Sequence, residues 1–144
     1  MALQFELHPR LAADTAFVLD WPLSRVLLMN DAHYPWVILV PRRAEIREIY
    51  ELEPAEQQTL LRESSALGRT LMRLFDGHKL NIAALGNVVP QLHVHHVVRR
   101  PDDPAWPAPV WGKVPSRPYT ADAMGERARL LKAQLAPCFD TPVP

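Results

Sequence analysis

The 144-residue sequence predicts an α+β domain: a five-stranded antiparallel sheet, one long helix between the third and fourth strands, and a C-terminal helix. Three observations carry this. Short apolar or β-branched runs bounded by turn residues fall at 15–19, 24–30, 34–40, 80–85 and 91–99. A leucine stripe with spacings of three and four crosses 60–74. A capped stretch at 120–135 follows a segment rich in proline and tryptophan.

Taken in order, Thr15-Ala16-Phe17-Val18-Leu19 is the first strand, broken by Trp21-Pro22. The second, 24–30, holds Val26-Leu27-Leu28-Met29. Asn30-Asp31-Ala32-His33 carries turn residues. The third strand, Tyr34-Pro35-Trp36-Val37-Ile38-Leu39-Val40, ends at Pro41, and its near-continuous apolar character predicts that both faces are covered. Three strands so close in sequence form an antiparallel meander most simply. Pro54 suits the first turn of a helix. Leu60, Ser64, Leu67, Leu71 and Leu74, widened by Leu61 and Phe75, give that helix one apolar face, and Gly77 is placed to end it. Residues 80–85 are the fourth strand, Gly86-Asn87 a break, and 91–99 the fifth, antiparallel to the fourth across a short connection. Residues 100–118 hold six prolines around Trp106 and Trp111. That is not flexible-linker chemistry, and the tryptophans must pack on this domain or on a second subunit. Thr120 caps a last helix, Ala121–Leu135, with Tyr119 placed to staple onto Met124 and Pro137 ending it. There is no internal repeat. Residues 1–118 form the domain, and 119–144 are its helical extension.

Bulk properties exclude several classes. Lys+Arg and Asp+Glu balance at 16 each, so no global field recruits nucleic acid or an anionic membrane. No apolar run approaches the roughly 20 residues that span a bilayer. The N-terminus lacks the basic and apolar regions of a signal peptide. Cys138 is the single cysteine, which fits a reducing cytoplasm.

The chemistry concentrates in Gln91-Leu92-His93-Val94-His95-His96-Val97-Val98-Arg99, where three of the six histidines fall in four positions. On a strand, Gln91, His93, His95, Val97 and Arg99 share one face, and Leu92, Val94, His96 and Val98 the other. The second face suits a core, with His96 as a structural residue. The first sets two imidazoles side by side, and burying such groups without partners is costly. Neutral imidazole, with a pKa of about 6.5, is a good nucleophile near pH 7. Its attack on phosphorus splits one displacement into two steps through a phosphoramidate. His95 is placed to give a proton or hydrogen bond to developing charge, Gln91 and the amides around Gly86-Asn87 to act as neutral donors, and Arg99 to attract an anion. Alternate histidines also ligate Zn²⁺. The third ligand is missing, however: no His-x-His-x-Asp-His, His-Glu-x-x-His or cysteine pair is present.

These elements and this strand resemble the histidine-triad (HIT) family of nucleotide hydrolases and transferases over residues 15–100. The family signature is His-φ-His-φ-His-φ-φ, with φ hydrophobic. The resemblance implies that His93 holds the nucleophile's place, His95 the third histidine's and Gln91 the first histidine's. It places Asn81, Gly86 and Asn87 at the phosphates and Asn30 at the ribose. It implies a homodimer and a nucleotide or nucleoside phosphate ester or phosphoramidate as ligand, with no metal or other cofactor. Three departures stand out: Gln91 for the first histidine, Val88 where a hydroxyl is common, and Pro35-Trp36-Val37 where many members carry Gly-His. The activity implied is attack at an α-phosphate through a nucleotidyl-His93. The alternative is a nucleotide-binding module whose catalysis is weak or lost without the first histidine.

Overall fold

A computed structural model describes residues 3–139. The first two residues of the N-terminal segment and residues 140–144 of the expected extension lie outside the described residues. The five strands are β1 (Thr15–Asp20), β2 (Ser24–Met29), β3 (Trp36–Pro41), β4 (Lys79–Ala83) and β5 (Val94–Arg99). They form one antiparallel sheet in the order β1-β2-β3-β5-β4. The meander and the β4–β5 pairing follow the sequence pattern. The insertion of β5 between β3 and β4 brings the histidine row to the middle of the sheet, opposite β3, with Ile38 facing His95 and Val37 facing His96.

One face of the sheet is covered by α2 (Pro54–Leu74) and α3 (Ala121–Leu135). Val26, Leu28, Val37, Leu39, Val94 and Val98 pack there with Leu60, Leu67 and Leu71 of α2 and Leu131 and Leu135 of α3. Thr120 caps α3 by accepting from the Ala123 N–H at 3.1 Å. The Tyr119 ring packs under the Arg127 guanidinium. At the end of α2 the left-handed residue is Asp76, with φ 49°. Gly77 serves a different need, because a Cβ there would lie 2.4 Å from Met72 Sδ and 2.8 Å from Val98 Cγ1.

The opposite face is covered by a helix that the apolar pattern did not reveal and by the proline-rich loop. The helix, α1 (Pro9–Asp14), is too short for a helical period to register, although Pro9 stands at its first turn. It contributes Leu11. The loop contributes Ala105 and Val110, with Trp111 packed alongside, over Leu27, Trp36, Ile38, Val40 and Val97. All six residues of β3 are therefore buried, as their apolar run predicts.

One expectation needs correction. The fifth strand begins at Val94, so residues 91–93 lie outside the ladder and Gln91 is not held to one face by pleating. Trp36 is buried, and Trp106 and Trp111 are half-buried on their own chain, the first of the two packings open to the loop tryptophans.

Candidate active site

β5 divides its histidines between the two layers. His96 points to the helical layer, where Ser64 Oγ of α2 lies 2.7 Å from its Nε2 and the Val94 carbonyl 3.1 Å from its Nδ1. Burial lowers its pKa to about 4, only partly offset by the Val94 bond. It is the structural residue that alternation predicted.

His93 and His95 lie on the other side, their rings edge to face with centroids 4.8 Å apart and each 5% exposed. Their hydrogen bonds fix both tautomers. His93 Nδ1 is 2.7 Å from the Gln91 carbonyl, which can only accept. In the neutral ring Nδ1 therefore carries the proton and Nε2 the lone pair. His95 Nδ1 is 3.0 Å from Trp36 Nε1, and an indole N–H can only donate. The neutral His95 ring thus carries its proton on Nε2. Burial first, and then the neighbouring His93 ring, lower the His95 pKa to about 4 against a hydrogen bond to the Leu85 backbone. His95 is neutral at pH 7. The neutral ring has one N–H to donate, and the Leu85 backbone engages it.

His93 and Asn87 stand on the wall between two clefts. One, of about 100 Å³, is polar and bordered by Arg47, Glu48, Gly86, Asn87 and Gln91. The other, of about 210 Å³, is mostly apolar: Leu11, Met29, Ile38, Leu85, Val88, Val89 and Trp111 line it with His95, and Arg10 and Asp14 stand at its edge. Trp111 packs on His95 and Trp36 at ring distances of 5.1 and 5.7 Å. A Cβ at Gly86 would sit 3.0 Å from the Val89 carbonyl oxygen, so a side chain there would crowd that backbone. His93, His95, Gly86 and Asn87 are thus brought together as the pattern indicated.

The other nominated residues are committed elsewhere. Gln91 borders the polar cleft, but its amide is spent on the N-terminal segment: Oε1 accepts from the His8 N–H at 2.9 Å and Nε2 donates to the Glu6 carbonyl at 2.8 Å. It is not a free donor to phosphate. Arg99 is 1% exposed, its guanidinium paired with Asp103 at 2.8 and 3.1 Å and with Asn81 Oδ1 at 2.8 Å. Burial raises the Asp103 carboxyl, but Arg99 and backbone donors outweigh this and hold it below the usual range. Arg99 and Asn81 therefore tie β4, β5 and the following loop together, away from both clefts. Asn30 Oδ1 accepts from the Tyr119 N–H at 2.8 Å and anchors the approach to α3. Sequence reasoning missed Trp36 as the partner of His95, and Arg47. Among the described residues, no group of three or more His, Cys, Asp or Glu side chains is placed to hold a metal ion. No helix there is long and apolar enough to cross a membrane.

Comparison with known proteins places this geometry. Among curated proteins none matches. Solved structures that share most of the chain include three at 40% identity or more. A histidine triad protein from Marinobacter aquaeolei VT8 is 57% identical, with 94% of this chain and 96% of that one covered and a TM-score of 0.86. A histidine triad protein from Bradyrhizobium japonicum is 44% identical over 92% and 99%, with a TM-score of 0.89. A histidine triad (HIT) protein from Sinorhizobium meliloti 1021 is 40% identical over 94% and 97%, with a TM-score of 0.85. The HIT domain family model matches residues 10–102, and with these likenesses the chain belongs to the HIT domain family.

Proposed function

We propose that the protein is a nucleotide hydrolase or nucleotidyl transferase that attacks an α-phosphate through His93. HIT family members are generally nucleotide hydrolases or transferases. The supporting observation is the His93 tautomer: Nδ1–H is committed to the Gln91 carbonyl, and the bare Nε2 belongs to a ring on the wall between a polar and an apolar cleft. That is the position at which an ester with an aromatic nucleoside on one side and charged oxygens on the other would be cut. Preorganised donors aimed at developing charge do most of the work in such reactions. Asn87 and the backbone near Gly86 border the same wall, while the single N–H of the neutral His95 ring is engaged by the Leu85 backbone. Gln91 takes the first histidine's place as an anchor of the cleft rather than as a phosphate ligand. Asn30, Asn81 and Arg99 act through the scaffold. The reading includes two associated copies of the chain in the cytoplasm, as the resemblance implies.

Intact-protein mass spectrometry after a rapid quench tests it. Wild type exposed to a dinucleoside polyphosphate gains one nucleotidyl mass, and His93→Ala gains none. A wild-type protein that binds nucleotide without ever carrying the adduct is the binding module instead. Turnover by His93→Ala at the wild-type rate removes His93 as nucleophile.

A further inference from the structure

The polar cleft contains a cation that nothing in the histidine signature announces. Arg47 sits on the loop after β3, and the Ile46 carbonyl beside it accepts from the Leu92 N–H at 2.9 Å. That bond ties Arg47 to the residue next to His93. A second restraint holds the same turn, because the Glu51 carboxylate accepts from the backbone N–H groups of Arg47 and Glu48 at 3.0 and 2.9 Å. The Arg47 guanidinium is exposed and has no hydrogen bond or ion pair among the described residues, as is true of Arg62 and Arg69, but Arg47 alone of these three lines the cleft that His93 also lines. The backbone of Arg47 is fixed twice while its charge stays free beside His93.

A second observation bears on the same point. A nucleophilic displacement at phosphorus needs the departing oxygen or nitrogen either protonated or stable as an anion. The one side chain stacked on His93, His95, is held with its Nδ1 lone pair against the Trp36 N–H and has no extra proton to give. Gln91, where the signature has a histidine, carries no titratable proton at all. The described site thus has an unpaired, solvent-exposed cation on an anchored backbone, and no imidazolium acid behind the scissile bond.

We infer that Arg47 is a specificity-determining residue that binds an anionic leaving group, and that the departing part of the substrate is a phosphate or polyphosphate rather than an amine. This rests on the His93 reading. In the first step His93 Nε2 forms an N–P bond to the α-phosphorus as the bond from that phosphorus to the bridging oxygen breaks. The electron pair stays on that oxygen, now a terminal oxygen of the departing phosphate, where Arg47 offsets its charge. In the second step water attacks the phosphorus, the N–P pair returns to Nε2, and one proton of that water passes to solvent. Neither step draws a proton from the protein.

The test separates the inference from its premise. Titration of inorganic pyrophosphate into the full chain needs no chemistry at His93. Wild type binds it, Arg47→Gln binds roughly tenfold to a hundredfold more weakly, as expected for the loss of a charge-assisted contact, and Arg47→Lys falls between. Equal affinity in wild type and Arg47→Gln, or no binding by wild type, overturns the inference. In turnover, kcat/KM for a dinucleoside polyphosphate drops in Arg47→Gln by a similar factor, while a nucleoside phosphoramidate with a neutral amine leaving group changes less than threefold. Equal losses on both substrates also overturn it. Absence of the His93 adduct alongside Arg47-dependent pyrophosphate binding would instead discard the nucleophile and keep the anion site.

Discussion

Trp36→Phe isolates the tautomer that this site depends on. The substitution keeps an aromatic ring against His95 and Trp111 and deletes one donor, the indole N–H that lies 3.0 Å from His95 Nδ1. His95 is 5% exposed, so its Nδ1 loses the donor without gaining water in its place. Leaving a buried acceptor unpaired costs about 1–3 kcal/mol. For a domain near this size that lowers Tm by about 3–10 °C. The same bond favours the neutral ring. If it contributes about 1–1.5 kcal/mol to that form, its loss raises the His95 pKa by roughly one unit, upward from about 4. Long-range proton–nitrogen correlation spectra of the imidazoles, recorded from pH 3.5 to 8, report both quantities. Wild-type His95 should show the Nε2–H form throughout the neutral range and titrate near 4. Trp36→Phe should titrate higher and mix the two tautomers. An unchanged titration and tautomer in the variant would refute the assignment of Trp36 as the group that sets the state of His95.

Two further outcomes follow from the same contacts. His95 and His96 titrate near 4 in the folded chain, against roughly 6.5 when unfolded. The unfolded chain therefore binds more protons between those values, and stability rises with pH across that window. Their contribution is complete above about pH 6.5 and drains away as pH falls toward 4, by up to about 3 kcal/mol each. Glu63, whose carboxyl burial raises despite the Leu23 and Ser24 donors, works in the opposite sense and blunts the slope. A urea midpoint that does not fall between pH 7 and pH 4.5 would contradict this. Arg99→Gln should leave Asp103 buried without its partner and cost about 3–5 kcal/mol of stability, with nucleotide KM unchanged in the protein that remains folded. A raised KM with an unchanged melting curve would restore Arg99 as a substrate ligand.

What the sequence made legible, and what it hid, follows from the range of each determinant. The helix α3 was readable end to end because Thr120 and the residues after it settle the matter within a few positions. The opposed faces of His95 and His96 were readable because a strand alternates whatever lies around it. Arg99 was misread because the groups that neutralise it come from elsewhere. Asp103 reaches it from the next turn and Asn81 from β4, while the Tyr34 and Trp106 rings lie within 5.7 and 5.6 Å of its guanidinium. Arg47 was invisible for the converse reason. A single backbone bond across 46 residues, Leu92 to Ile46, makes it a neighbour of His93, and no local pattern encodes that bond.

Gln91 has a structural task in this fold. A carboxamide presents a donor and an acceptor side by side in one plane. Gln91 uses both, clamping the Glu6 carbonyl and the His8 N–H. His8 in turn caps α1, its Nδ1 accepting from the Arg10 N–H at 3.1 Å. The same helix delivers Arg10, Leu11 and Asp14 to the apolar cleft beside His93. An imidazole at position 91 has only one donor and one acceptor, pointing in divergent directions from a rigid ring, and cannot close that two-point clamp. Gln91 therefore holds a wall of the cleft in place through its side chain, while its backbone carbonyl fixes the proton on His93. One residue serves both ends, so Gln91→His would loosen the cleft wall and leave the His93 bond to the backbone carbonyl.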